Sequence, residues 1–226
     1  MNTSQTISQR RPAQGLLATH KVLRNTYALL SMTLMFSAAC AYASMLLELP
    51  HPGLLITLGG YFGLFFLVNR FRNSAWGLVC LFALTGFMGM TLGPILNAYI
   101  GHYANGAQLV LMSLGGTGIT FVGLSAYALI SRKDFGFMGG MLSAGILVAF
   151  IASLAVAFIP GLEGGSVAIA ALFVLLMAGL ILFETSQIIH GGETNYILAT
   201  LGLYVTIYNL FTSLLQIFGV LERDNG

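Results

Sequence analysis

The sequence predicts an all-α integral membrane protein, a bundle of seven transmembrane helices, and three observations predict it. Hydrophobic residues make up 57% of the 226-residue chain and charged residues 7%, with a mean hydropathy of +0.88. A soluble domain carries about 25% charged residues, so this chain has roughly a third of the charge needed to coat a water-facing surface. Seven apolar runs, each bounded by the nearest charged or turn-forming residues, match the roughly 20 residues that a helix needs to cross the hydrocarbon. Seven spans take roughly 140 residues, which leaves short loops and one tail. A soluble globular domain and a disordered chain are both excluded.

In chain order, residues 1–25 are polar, carry Pro12 and lack an apolar face. They are expected to form a flexible cytoplasmic tail, with residues 26–222 as the transmembrane domain. The first run covers about Tyr27 to Leu47 and ends at Glu48-Leu49-Pro50-His51-Pro52. Its Ala39-Cys40-Ala41-Tyr42-Ala43-Ser44 stretch looks like a leader cleavage site. The run is longer than the 7–15 residues of an h-region and more spans follow, so an uncleaved first helix is expected. The second run, about Gly53 to Val68, is the shortest; the third covers about Ala75 to Ile100. Pro94 is expected to bend the third span or end its regular part. The remaining runs are Ala107 to Ile130, Gly136 to Phe158, Gly165 to Ile189 and Tyr196 to Leu221.

Loop charge gives the expected orientation. Arg10, Arg11, Lys21 and Arg24 precede the first span, Arg70 and Arg72 separate the second from the third, and Arg132 and Lys133 separate the fourth from the fifth. The alternate loops, Glu48 to Pro52, Gly101 to Gly106 and Pro160 to Gly164, contain no Lys or Arg. The positive-inside rule then places the N-terminus in the cytoplasm and, with seven spans, the C-terminus outside. Nine scattered Lys and Arg and a net charge of +2 give no nucleic-acid footprint. Cys40 and Cys80 fall inside apolar runs and read as small apolar residues.

Glycine supplies the expected packing signal. Gly59-Gly60-x-x-Gly63, Gly86-x-x-Gly89-x-x-x-Gly93, Gly115-Gly116-x-Gly118 and Gly139-Gly140 sit within spans. Small residues let helix backbones approach closely in lipid, where packing and interhelical hydrogen bonds replace the hydrophobic effect.

Glu184 is the acidic residue that falls inside an apolar run, in Leu180-Ile181-Leu182-Phe183-Glu184-Thr185-Ser186-Gln187. A carboxylate at mid-membrane costs about 3 kcal/mol on insertion scales, less near an interface. The expected topology puts it one to two turns from the cytoplasmic end of the sixth span. It is a candidate proton-sensing or cation-coordinating group, and the metal ligand if there is one. The bland alternative is a snorkelling Glu capped by Gln187 or a loop arginine. The other acidic residues, Glu48, Asp134, Glu163, Glu193, Glu222 and Asp224, read as loop, helix-end or tail. The sequence therefore has no intramembrane aspartate pair, no His-Glu-x-x-His, no Gly-x-Ser-x-Gly and no Lys in the seventh span. His20, His51, His102 and His190 are widely separated. An enzyme is not expected, and no cofactor.

Further stretches form a recognisable set. Arg24-Asn25-Thr26-Tyr27 opens the first span, and Leu92-Gly93-Pro94-Ile95 lies in the third. Arg132-Lys133-Asp134-Phe135-Gly136-Phe137-Met138-Gly139-Gly140 leads into the fifth. The sixth runs into the seventh through Phe183-Glu184-Thr185-Ser186-Gln187-Ile188-Ile189-His190-Gly191-Gly192-Glu193-Thr194-Asn195-Tyr196, followed by Leu203-Tyr204-Val205-Thr206-Ile207-Tyr208-Asn209-Leu210-Phe211. From about Thr19 to its C-terminus the chain resembles the Bax inhibitor-1 family of seven-span proteins, and within it the YccA-like bacterial branch. The resemblance implies six helices around a central seventh. For the bacterial branch it implies residence in the inner membrane and association with the membrane-anchored AAA protease FtsH, whose degradation of membrane substrates is restrained.

For other members the resemblance implies a pH-sensitive calcium leak. That leak is attributed to one acidic residue on each of the sixth and seventh spans, with a basic latch near the second. Carried over residue by residue, Glu184 takes the first acidic position, where the family commonly has Asp. Thr206 takes the second, and Arg70 or Arg72 would be the latch. A carboxylate with a hydroxyl makes a weaker site for a hard cation than two carboxylates do. The expected function is a non-enzymatic modulator of FtsH. The alternative is a calcium, cation or proton leak sensed by Glu184, and a membrane chaperone or scaffold is a third reading.

Overall fold

The computed structural model describes residues 4–159, 161 and 163–225, with side chains from residue 19 to 159, at 161, and from 164 to 223. Within them the chain forms seven α-helices: α1 (Ser4–Leu46), α2 (Leu54–Phe71), α3 (Ala75–His102), α4 (Gly106–Ser131), α5 (Gly139–Phe158), α6 (Ser166–His190) and α7 (Tyr196–Asn225). Short 3-10 turns, Gly136–Met138 and Glu163–Gly165, lead into α5 and α6. All seven helices contain a stretch long and apolar enough to cross a membrane, and the chain is a multi-pass membrane protein.

One feature differs from the sequence reading and another decides between its alternatives. First, α1 extends to Ser4, and its membrane-length apolar part is Thr19–Leu46. Val22 and Leu23 already pack against the core, so the folded domain begins several residues before position 26. The physical reason lies in Leu, Ala, Lys, Arg and Gln between positions 13 and 24, which favour helix without needing an amphipathic pattern. Second, of the bend or end expected at Pro94 the end does not occur: α3 continues through Pro94 to His102, close to the expected Ile100. Proline has no N–H to give to the carbonyl four residues earlier, which leaves that of Met90 without its helical partner. The Ser44 hydroxyl of α1 donates to the Met90 carbonyl at 2.8 Å. A neighbouring helix thus satisfies the backbone group that Pro94 frees, as a membrane interior demands.

The glycines divide into two sets. On α3, a Cβ at Gly86 would lie 2.8 Å from the Phe36 ring, one at Gly93 2.6 Å from the Ser44 side chain, and one at Gly89 would collide with the Ser37 carbonyl. Along that stripe α3 leaves no room for a Cβ against α1. Gly59, Gly63, Gly115 and Gly118 face open space instead.

In contrast to α2, only 6% of whose most apolar stretch is buried, 61% of that of α7 is buried. α7 touches α1, α2, α3, α4 and α6. Leu201, Leu203 and Tyr204 of α7 join Leu30, Val68, Leu81 and Leu84 in one core cluster. The Tyr204 hydroxyl donates to the Thr85 carbonyl at 3.2 Å and accepts from Ser37 at 2.6 Å, which ties α7 to α3 and α1. The outer faces carry exposed large apolar side chains such as Leu55, Phe66, Ile119, Ile130 and Phe137. A coat of that kind would aggregate a soluble protein, and lipid tails solvate it.

Candidate functional site

The connection from α6 to α7 fixes the geometry around Glu184. Gly191 ends α6 with φ +75°, a left-handed conformation that glycine adopts without steric cost. The Gly192 amide donates back to the Gln187 carbonyl at 2.8 Å, and a Cβ at Gly192 would run into the Gln187 side chain. Asn195 then caps α7, its Oδ1 accepting from the amides of Ile197 at 2.9 Å and Leu198 at 3.2 Å. Its Nδ2 reaches the Arg72 carbonyl and the Asn73 side chain, both at 2.9 Å, and so anchors the loop between α2 and α3. At the same end of the bundle, His190 Nε2 donates to the Arg132 carbonyl at 3.1 Å. Ser186 Oγ accepts from the Phe135 amide at 3.0 Å and donates to the Lys133 carbonyl at 3.3 Å. The motif between Phe183 and Tyr196 is therefore a rigid hairpin that holds two neighbouring loops.

That hairpin sets the register of α6 against α7. Glu184 lies six residues before His190, about 9 Å along the helix. Its Oε2 accepts a hydrogen bond from the Thr206 hydroxyl at 3.1 Å. Thr206 is 1% exposed, whereas Glu184 is only partly buried. Gly202, one turn before Thr206, makes room for the carboxylate: a Cβ there would sit 2.6 Å from Glu184 Oε1. Glu184 and Thr206, far apart in sequence, are thus brought together. Arg70 and Arg72 are not: both are exposed at the end of α2, and among the described residues neither forms an ion pair with Glu184. Arg72 joins the hairpin through its backbone carbonyl alone.

Sequence reasoning missed the rest of this α7 face. Gly202, Thr206, Asn209, Ser213 and Gln216 recur at alternating spacings of four and three residues, which places them on one helix face. Asn209, Thr212, Ser213 and Gln216 line a cavity of about 230 Å³ with Ser153 of α5 and Ser166 of α6. The missed signal was the spacing, because each polar residue alone looks like an isolated interruption of an apolar run. Among the described residues no three His, Cys, Asp or Glu side chains converge. A cation at Glu184 would therefore draw its remaining oxygens from Thr206, main-chain carbonyls or water.

Comparison with known proteins places the chain among relatives. The family model described as "Inhibitor of apoptosis-promoting Bax1" matches residues 19–223. The chain is 53% identical over 218 residues to the Escherichia coli K12 protein named "Modulator of FtsH protease YccA", covering 96% of this chain and 98% of that one. The "Inner membrane protein YccA" of Escherichia coli O6:H1 gives the same identity and coverage. An uncharacterized Pseudomonas aeruginosa protein is 51% identical over 219 residues, 97% of this chain and 95% of its own. With seven membrane-length helices and a family match that runs from Thr19 in α1 to Arg223 in the last turn of α7, the chain belongs to the Bax inhibitor-1 family.

Proposed function

We propose that this protein is a non-enzymatic component of a bacterial inner membrane that binds the membrane-anchored protease FtsH and restrains its degradation of membrane substrates. The observation that carries this reading is the 53% identity, over nearly the whole of both chains, to a protein named as a modulator of that protease. In the proposed topology α7 is the axis of the bundle. The end that bears Lys21, Arg24, Arg70, Arg72, Arg132 and Lys133 faces the cytoplasm, and the C-terminus lies outside. The residues ahead of Thr19 would be the cytoplasmic segment that a processive protease can grip. Purification of the full-length protein from native membranes in mild detergent should retain FtsH, and overproduction should lengthen the lifetime of a membrane-embedded FtsH substrate. Loss of FtsH under conditions that preserve the bundle would overturn the reading.

A second reading, a cation or proton leak sensed at Glu184, draws support from the Glu184–Thr206 contact at the head of the polar α7 stripe. Calcium flux into dye-loaded liposomes at mildly acidic and mildly alkaline pH tests it, with Glu184→Gln alongside. Flux no greater than in protein-free liposomes would remove it.

A further inference from the structure

The flank where α1 faces α4 is not closed by helix packing. The two helices make no backbone approach, and Tyr27 bridges them through its ring, whose centroid lies 6.0 Å from that of Phe121. At the basic end of this seam a cavity of about 630 Å³ is lined by His20, Lys21, Leu23, Arg24 and Tyr27 of α1 and by Leu129 of α4. Among the described residues no carboxylate lines it, and neither Lys21 nor Arg24 has an acidic partner.

Beyond the Tyr27–Phe121 contact the seam becomes an apolar groove of about 580 Å³ that follows α1 from Leu34 to Met45, with Tyr204 and Ile207 in its floor. Three of the hydroxyls along it are used internally. Ser37 donates to Tyr204 and Tyr204 to the Thr85 carbonyl, while Thr117 donates to the Ser113 carbonyl at 2.7 Å. Apart from the Tyr42 and Tyr208 side chains, the groove therefore presents mostly hydrocarbon to an occupant.

One seam thus offers two cations and a histidine at its end, an aromatic pair next, and an apolar channel beyond. The ten residues from Arg24 to Leu34 rise about 15 Å, which is half of the roughly 30 Å hydrocarbon core and so one leaflet. A chain anchored at the cavity would reach the near end of the groove. We propose that the α1–α4 seam binds an anionic phospholipid, its phosphate held by Lys21 and Arg24 with His20 beside them and its acyl chains laid along the seam across Tyr27 and Phe121. Basic pockets between membrane helices are suited to anionic headgroups, and the bilayer delivers such a ligand sideways. A free phosphate would match the cations and make no use of Leu23, Tyr27 and Leu129, which line the same cavity.

The test uses the full-length protein in detergent, titrated with phosphatidylglycerol or phosphatidylcholine and read by native mass spectrometry. Phosphatidylglycerol should be retained in preference. Lys21→Gln with Arg24→Gln should weaken it about 25-fold, roughly fivefold per charge, and leave phosphatidylcholine unchanged. Arg70→Gln with Arg72→Gln removes two exposed cations from the end of α2, away from this cavity, and should change retention less than about twofold. Melting curves verify folding, and the single variants carry the same test if the double variant melts early. Equal retention of the two lipids, or an equal loss in the α2 variant, would overturn the proposal. So would displacement of phosphatidylglycerol by millimolar inorganic phosphate, which would make the site one for the free anion.

Discussion

Replacing Thr206 by valine would remove the hydroxyl that donates to Glu184 while nearly keeping the side-chain shape. The bond is 3.1 Å long and the threonine is 1% exposed, so no solvent stands ready at position 206 to replace the lost donor. A hydrogen bond to a charged group contributes about 1.5–3 kcal/mol and one between neutral groups about 0.5–1.5 kcal/mol. For a chain of this length each kcal/mol moves the melting temperature about 2–4 °C. Thr206→Val should therefore lower the melting temperature by about 3–12 °C if Glu184 is ionised, and by about 1–6 °C if it is protonated. The assay is unfolding in detergent micelles of wild type, Thr206→Val, Glu184→Gln and the double variant. Because the two residues touch, the cycle should show coupling above about 0.5 kcal/mol. Additive losses, or a melting temperature unchanged by Thr206→Val, would refute the contact as a stabilising one and with it the register of α6 against α7.

Three further outcomes follow from the packing. Ser44→Ala should destabilise by about 1–3 kcal/mol, measured by the same unfolding assay, because it strands the Met90 carbonyl that Pro94 leaves free; in the Pro94→Ala background that cost should fall. Gly89→Ala should cost at least about 1–3 kcal/mol by driving a Cβ into the Ser37 carbonyl, whereas Gly63→Ala, which faces open space, should be close to neutral. Gln216→Cys and Ser213→Cys, on the cavity between α5, α6 and α7, should react with a small polar thiol reagent in vesicles, since polar side chains at membrane depth are tolerated where they meet water or protein. Met35→Cys, which is 74% exposed on the apolar outer face of α1, should react far more slowly, and equal rates would contradict a hydrated cavity.

The seven spans were legible because lipid as a solvent imposes one rule on every helix: enough consecutive apolar residues to cross it. Composition and run length therefore carried the architecture, and most helix ends agree with the run boundaries to within a few residues. The start of α1 did not, because the polar residues at the head of the chain have no periodic apolar signature to read. Glu184 stood out by being charged within an apolar run, and the match of Thr206 to a family position paired the two before any geometry was known. Gly202 could not be singled out in the same way, since its role is to lack a side chain beside a carboxylate on another helix. Arg70 and Arg72 illustrate the converse. The family resemblance made both candidates for a partner of Glu184, yet both are exposed, and Arg72 is engaged by Asn195 through its backbone carbonyl.

Sequence alone thus determined that the chain crosses a membrane, about where, and which carboxylate is costly enough to need a reason. Tertiary structure decided which glycines are contact surfaces and which are bare, that Ser44 satisfies the carbonyl that Pro94 frees within α3, and that a polar stripe of α7 faces a cavity. The physical reason is that crossing a bilayer is a property of each segment by itself, written locally in hydropathy. Contact between helices depends on the rotation and register of two segments at once, and in a chain apolar on nearly every face no periodic pattern records either.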